Sequence, residues 1–239
     1  MFCPKCGSTH IIKNGSIHNK KQKYQCNTCR RQFVEYPENK IIDDETIKLV
    51  NRLLLEKISL AGIARAAEVS EAWVQKFVNS KFKAVPRQIK VTTKPKGRLT
   101  IECDEEWSYV GNKGNKIWTW LSIDKETREC VGCYIGSRDR SSAQGLWDSL
   151  PPVYRQCAVT YTDFWEAYNT VFPKNRHRAV AKNTGLTNHI ERLNNTFRQR
   201  ISRLVRKTLS FSKNLENHIG AIWYFIHDYN QAIIANLNS

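Results

Sequence analysis

The sequence has no uncharged window of about 18 residues, the length a membrane-spanning helix requires. Nor does an apolar leader follow Met1, because Cys3, Lys5, Cys6 and Lys13 interrupt it. The expectation is a cytoplasmic protein with no membrane partner. Acidic residues are scarce as well: 22 Asp+Glu face 38 Lys+Arg, a formal net charge of +16. Residues 1–98 hold 20 Lys+Arg against 8 Asp+Glu, and residues 99–239 hold 18 against 14, so the first part carries most of the attraction for polyanions. Internal repeats and low-complexity segments are also missing. With 41% hydrophobic and 10% aromatic residues over 239 positions, what remains is a folded protein with one sizeable core and smaller modules.

What is present begins with sulfur. Cys3-Pro-Lys-Cys6 and Cys26-Asn-Thr-Cys29 are two C-x2-C pairs 19 residues apart, and the residues between them alternate as short strands would. In a reducing compartment this spacing favours a closed tetrahedral Zn²⁺ shell of four thiolates over disulfides or free core thiols. A third pair, Cys130 and Cys133, lies in an expected strand, where positions three apart should point to opposite faces. Cys103 and Cys157 read as buried strand thiols.

Residues 43–55 repeat Ile47, Val50, Leu53 and Leu54 at helical spacing behind an Asp43 or Asp44 cap. In the following stretch Leu60, Ile63 and Ala64 form an apolar face, Ala67-Glu-Val69 a turn, and Ser70 an N-cap before a second helix anchored by Val74 and Phe77. This reads as a helix-turn-helix that leaves Glu71, Ala72, Gln75, Lys76 and Asn79 to face a DNA groove; a plain helical hairpin is the alternative. Residues 81–98 carry Pro86, Pro95, Gly97 and many basic side chains without a sustained period, a basic linker. The expected segments are a zinc ribbon at 1–36, the helix-turn-helix at 40–80, the linker at 81–98 and an α/β domain with a mixed sheet and a C-terminal helix at 99–239. Within the last, strands are expected at 99–110, 116–124, 128–136, 157–163 and 177–182, and helices at 141–150, 164–171 and 187–205. The stripe Leu215, Ile219, Ile222, Trp223, Ile226, Tyr229, Ile233 and Leu237 reads as core packing.

Glu191 is the sole acid between Glu166 and Glu216, and it is followed by Arg192, Arg198, Arg200, Arg203, Arg206 and Lys207. Such a carboxylate suits a hard cation held beside a phosphate backbone. Asp104 and Asp163 lie in expected strands and can complete the site if those strands are neighbours. Three close carboxylates would raise one another's pKa, and two Mg²⁺ or Mn²⁺ ions resolve that conflict. Asn194, Asn195 and Arg198 share the helical face of Glu191, and Arg198 could fork onto a phosphate. His189 points elsewhere, toward the surface or DNA. Glu105 and Glu106 adjoin Asp104 and remain open as alternative ligands.

The order of these modules, with Asp104-Glu-Glu-Trp-Ser-Tyr-Val-Gly, Tyr161-Thr-Asp163, Ile190-Glu191-Arg-Leu-Asn-Asn-Thr-Phe-Arg-Gln-Arg and Arg206-Lys-Thr-Leu-Ser-Phe-Ser-Lys213, resembles the insertion sequence 1 family of bacterial transposases over nearly the whole chain. The resemblance implies a ribonuclease H-like catalytic core with a DDE triad at Asp104, Asp163 and Glu191, and a basic residue seven positions on at Arg198. It also implies double-stranded DNA as partner, at terminal inverted repeats and target, and a homo-oligomer on DNA, with the protein working at the nucleoid. In some relatives two reading frames are joined by frameshifting; here one continuous chain carries both parts. A DNA-binding regulator without catalysis, and a metal-dependent nuclease that cuts without joining, are the rival readings.

Overall fold

The computed structural model describes residues 1–36, 42–204 and 211–237. The chain divides into two compact units, Met1–Asp44 and Glu45–Ser239. The first carries a three-stranded antiparallel sheet of β1 (Ile11–Ser16), β2 (Gln22–Cys26) and β3 (Gln32–Val34), in that order. Tyr24 and Phe33 pack across it with ring centroids 6.1 Å apart.

In the second unit, α1 (Asp44–Leu53), α2 (Leu60–Ala66) and α3 (Glu71–Ala84) come first. Ser59 Oγ accepts from Gly62 N at 3.0 Å and Ser70 Oγ from Trp73 N at 3.2 Å, so each of the last two helices starts on a serine cap. The reversal between them passes through Glu68 at φ 51°. Val74 is fully buried and Phe77 half-buried, as the apolar spacing requires.

The strands β4 (Thr100–Tyr109), β5 (Lys116–Asp124), β6 (Cys130–Gly136), β7 (Val159–Thr162) and β8 (His177–Ala179) form one mixed sheet in the order β6-β5-β4-β7-β8. β4, β5 and β6 pair antiparallel with one another, whereas β7 and β8 continue from β4 in parallel. Parallel neighbours need crossovers, and α4 (Arg140–Ser149), α5 (Pro152–Cys157) and α6 (Glu166–Val171) supply them. These crossovers contribute to one core with Ile101, Cys103 and Trp120. α7 (Asn188–Arg200) and α8 (Leu215–Leu237) contribute to the other, with Leu121 and Ile123. Layers on both sheet faces give an α/β domain.

Helices α1 to α3 share that second core: Val50, Ile63, Val74, Val78 and Phe82 cluster with Ile222, Trp223 and Ile226 of the expected α8 stripe. Contact with α8 is close at Gly220, where an added Cβ would fall 2.4 Å from Phe82 Cβ and 2.7 Å from its carbonyl oxygen. Asn217 Nδ2 donates to Asn79 Oδ1 at 2.7 Å, and Lys81 Nζ lies 4.8 Å from the centre of the Tyr224 ring. The expected linker begins within α3. Beyond Ala84 it is tied down at Thr92, which donates through N and Oγ1 to buried Glu129 at 2.8 and 2.6 Å.

Several details depart from the sequence pattern. Cys130 and Cys133 do not face opposite sides: Leu121 pairs with Cys133, Ser122 with Gly132 and Ile123 with Cys130, so a bulge at Val131 sends both thiols into one core. Cys157 ends α5 half-buried, because β7 starts only at Val159. α7 stops at Arg200 and a 3₁₀ turn, Ser202–Leu204, replaces its last expected turn. The expected residues Lys40, Val205, Arg206 and Lys207 lie outside the described residues.

Buried His218 of α8 links Ser108 Oγ and Ser212 Oγ, each 2.9 Å from a ring nitrogen. Burial, aided by the Arg203 charge, lowers the His218 pKa to about 4. Between its unfolded pKa of about 6.5 and pH 4 the unfolded chain therefore binds the extra proton, and stability falls as pH falls through that window. We expect urea unfolding to show wild type losing on the order of 2 to 3 kcal/mol more than His218→Gln between pH 7 and 4. Identical slopes for the two proteins would contradict a buried neutral imidazole.

Candidate active site and metal centre

One strand and one helix set the geometry. Alternate β4 residues face α7, and two strand residues advance about 6.6 Å while one helical turn of four residues advances about 6 Å. The contacts therefore repeat in step: Glu102 meets His189 and Ile190, Asp104 meets Asn194, and Glu106 meets Arg198. Glu102 is fully buried. Its Oε2 accepts from the His189 and Ile190 backbone N–H groups at 2.8 and 3.1 Å, and its Oε1 lies 2.7 Å from His189 Nδ1. Thr187, the α7 N-cap, contributes no side-chain bond there, so the strand carboxylate caps the helix and meets its positive end. The same contact corrects the expectation for His189, whose ring is held inward against Glu102.

Asp163 directly follows β7. The parallel register pairs Thr100 with Val159, Ile101 with Thr160 and Glu102 with Tyr161; continued by two residues, it sets Asp163 beside Asp104. Adjacent strands are about 4.8 Å apart. Asp163 Oδ1 accepts from Trp165 N at 2.9 Å, closing a turn that delays α6 to Glu166. Glu191 stands in the first turn of α7, where its Oε1 accepts from Thr187 Oγ1 at 3.3 Å. Asp104, Asp163 and Glu191 line one pocket of about 250 Å³ with Asn194, Asn195, Arg198, Glu105, Arg138 and Lys182. Among the described residues, only four cysteines form a group whose ligand atoms all lie within 4.8 Å of one another, so the three acids border a pocket rather than converge on a point.

Burial, then the charges of Glu105 and Asp163, push the Asp104 carboxyl up to about 7, against the pull of the Glu105 backbone N–H and the Lys182 ammonium. Neighbouring charges are disposed differently. Glu105 Oε1 is held by Arg138 Nε at 2.9 Å and Nη2 at 2.7 Å, and its Oε2 accepts from Tyr168 Oη at 2.8 Å. The Arg138 guanidinium in turn lies 4.6 Å from the Trp118 ring centre and 4.1 Å from that of Trp165. Glu106 Oε2 is 2.8 Å from Arg198 Nε. Both glutamates left open as ligands thus sit against arginines. Arg138 and Lys182 were not marked by any sequence spacing, and Lys182 fell in an expected strand that ends at Ala179.

The four cysteines form a second centre. Gly7 N donates to Cys3 O and Arg30 N to Cys26 O, each at 2.9 Å, and Gly7 and Arg30 both take positive φ. The two knuckles are thus the same turn used twice. Sγ atoms of Cys3 and Cys29 lie 3.5 Å apart, those of Cys6 and Cys26 3.6 Å. Four sulfurs about 2.3 Å from a tetrahedral Zn²⁺ would be about 3.8 Å apart, so the set fits that ion. The Cys29 and Thr28 N–H groups draw the Cys26 thiol down to about 6. At Cys6 the Ser8 N–H favours the thiolate, but desolvation and the sulfurs of Cys29, Cys3 and Cys26 outweigh it and push the thiol up to about 12. A dication removes that conflict.

On α3, Glu71, Ala72, Gln75, Lys76 and Asn79 are all exposed, with Asn79 Oδ1 accepting from Gln75 Nε2 at 2.7 Å as well as from Asn217. Among the described residues no helix is long and apolar enough to cross a membrane.

A family model described as IS1 transposase matches residues 98–231. The chain is 35% identical over 133 residues to the insertion element iso-IS1n protein InsB of Shigella dysenteriae, a span of 55% of this chain and 96% of the relative. It is 30% identical over 157 residues to the insertion element IS1 9 protein InsB of Escherichia coli (strain K12), covering 65% of this chain and 91% of that protein. The insertion element IS1 protein InsB of Haemophilus ducreyi gives the same figures.

Glu102→Leu should cost about 1 to 3 kcal/mol in urea unfolding and speed amide exchange in the first turn of α7, because it leaves the His189 and Ile190 N–H groups without the oxygen that accepts both. Unaltered exchange at Ile190 would show that the cap does not hold the helix. For the cysteine centre, one zinc per chain is expected by elemental analysis; Cys26→Ser should lose it and unfold Met1–Asp44 while leaving the circular dichroism of the rest.

Proposed function

The chain belongs to the IS1 transposase family, and from that premise we propose that it binds the terminal inverted repeats of its own insertion element, cuts at their 3′ ends and joins them to target DNA. The observation that carries this reading is the meeting of Asp104, Asp163 and Glu191 at one pocket from a central strand, its parallel neighbour and the helix clamped across them. The sheet order, three antiparallel strands followed by two parallel ones, supports the ribonuclease H-like core that the resemblance implies.

These three carboxylates would hold two Mg²⁺ or Mn²⁺ ions. Bound there, the ions would supply Lewis acidity to a displacement at phosphorus. Asp104, whose ionisation burial opposes, gains the counter-charge it needs. Asn194 fixes Asp104 through Oδ2 at 2.8 Å, and Asn195 and Arg198 face the DNA strand. In the first step a water oxygen bonds to phosphorus, the bond to the 3′ oxygen breaks, and a proton passes from the water to solvent as the 3′ oxygen is protonated. In the second, the freed 3′ hydroxyl oxygen displaces a 3′ oxygen of target DNA, so one P–O bond forms and one breaks. Neither step needs a covalent protein–DNA bond, and no Tyr or Ser is required as nucleophile.

The cysteine unit, as a zinc ribbon, and α3, through Glu71, Ala72, Gln75, Lys76 and Asn79, recognise the ends. Bridging two ends calls for at least a dimer on DNA.

With full-length protein, Mg²⁺ and a duplex carrying one element end, Asp104→Asn, Asp163→Asn and Glu191→Gln should each lower cleavage and joining by on the order of 1,000-fold while end binding and thermal stability persist. Normal joining by all three variants would refute the catalytic assignment. Cleavage without joining by the wild type would make the protein a nuclease.

A further inference from the structure

Resting on the catalytic reading above, we infer that Lys182 is the side chain that grips a DNA phosphate flanking the cut, and that it does so because, of the pocket's three cations, it is the one not held in a salt bridge. The argument begins with the three cations that line the pocket, Arg138, Lys182 and Arg198. Arg138 is held by Glu105 at 2.7 Å and enclosed by two tryptophan rings. Arg198 has its Nε 2.8 Å from Glu106, whose side chain is only 1% exposed. Lys182 is exposed, and among the described residues no carboxylate oxygen lies within 4.0 Å of its ammonium.

Its backbone, by contrast, is fixed. Val180 N donates to Thr162 O at 2.9 Å, tying the segment to the strand end that presents Asp163. Thr184 N and Oγ1 donate to Ala181 O at 3.0 and 2.7 Å, and Gly185 at φ 70° closes the 3₁₀ turn Lys182–Thr184. A long cationic side chain on a pinned turn at the lip of the pocket can reach for an anion with little loss of order elsewhere.

Charge accounting gives the same assignment. With both arginines neutralised, three carboxylates and Lys182 leave the pocket two negative charges. Two divalent cations would make it two positive. A phosphodiester under attack by an ionised oxygen carries two negative charges, so the loaded site would be neutral at the point of reaction only if Lys182 is counted. An ammonium is a point charge that suits one phosphate oxygen, and among the described residues Lys182 has no salt bridge that a phosphate would have to displace.

The test uses full-length, zinc-loaded protein and end duplexes in which single phosphates flanking the cut are replaced by neutral methylphosphonates. Lys182→Gln should lower cleavage on ordinary DNA by on the order of 100-fold with thermal stability unchanged, and Lys182→Arg should restore most of it. At one phosphate position the methylphosphonate should slow the wild type by a similar factor and the Gln variant no further, since both changes remove one contact. Anisotropy binding of a pre-cut end in Ca²⁺ should show the same loss and the same lack of additivity. The proposal is overturned if the two losses multiply at every position. It is also overturned if raising Mn²⁺ returns the Gln variant to the wild-type rate, which would make Lys182 a counter-charge for Asp104. Failure of the catalytic reading itself would appear separately, as activity in Asp104→Asn.

Discussion

A carboxylate cut off from solvent, that of Glu102, joins the central strand to the helix that carries the third acid. It caps α7 through two backbone N–H groups and holds the His189 ring, so the helix is fixed at its start and in rotation. Glu191 lies two residues farther on and inherits that placement. The equal advance of a strand over two residues and a helix over four then repeats the contact at Asp104 and Glu106. A shift of α7 by one residue would break all three rungs together, which makes the alignment of the pocket a property of the whole interface rather than of any one bond.

The same interface disposes of surplus charge. β4 carries the consecutive acids Asp104, Glu105 and Glu106, and left alone they would repel one another strongly in a buried setting. Pleating sends Glu105 to Arg138 and Tyr168 on one side, and Asp104 and Glu106 to α7 on the other. Only Asp104 meets an amide where its neighbours meet arginines. Burial raises the Glu105 carboxyl as well, but Arg138 and Tyr168 pull against it, so Asp104 is the member of the run with most to gain from a cation.

Much of this was legible in the chain itself. Cysteine spacing needs only a tight turn to place two sulfurs together, and the four do meet. Ser70 marks its helix because a serine oxygen can reach a free N–H three residues on, a purely local rule. Glu191 stands out by contrast with the basic residues around it, and strand alternation places Asp104. What could not be read depends on partners far away in sequence. Glu102 looks like any strand acid until His189, 87 residues later, is beside it. Arg138 gains its role only from Glu105 and two tryptophans contributed by different elements. The bulge at Val131 inverts the expected facing of a cysteine, and the adjacent Gly132 is its one local sign. Lys182 was hidden by a strand that ends early, because β8 pairs with β7 over just three residues.

Where α3 crosses α8, Gly220 leaves the two backbones in direct contact, and Asn79 on the exposed face of α3 is already bonded to Asn217. A helix seated this closely cannot be exchanged for a foreign one as a free-standing module. Any drift in the residues that α3 presents must be compatible with the helix beneath it, so the exposed face of α3 and the scaffold of the pocket descend together. Lineages of such elements would then diverge by small, paired steps along this crossing rather than by shuffling of parts.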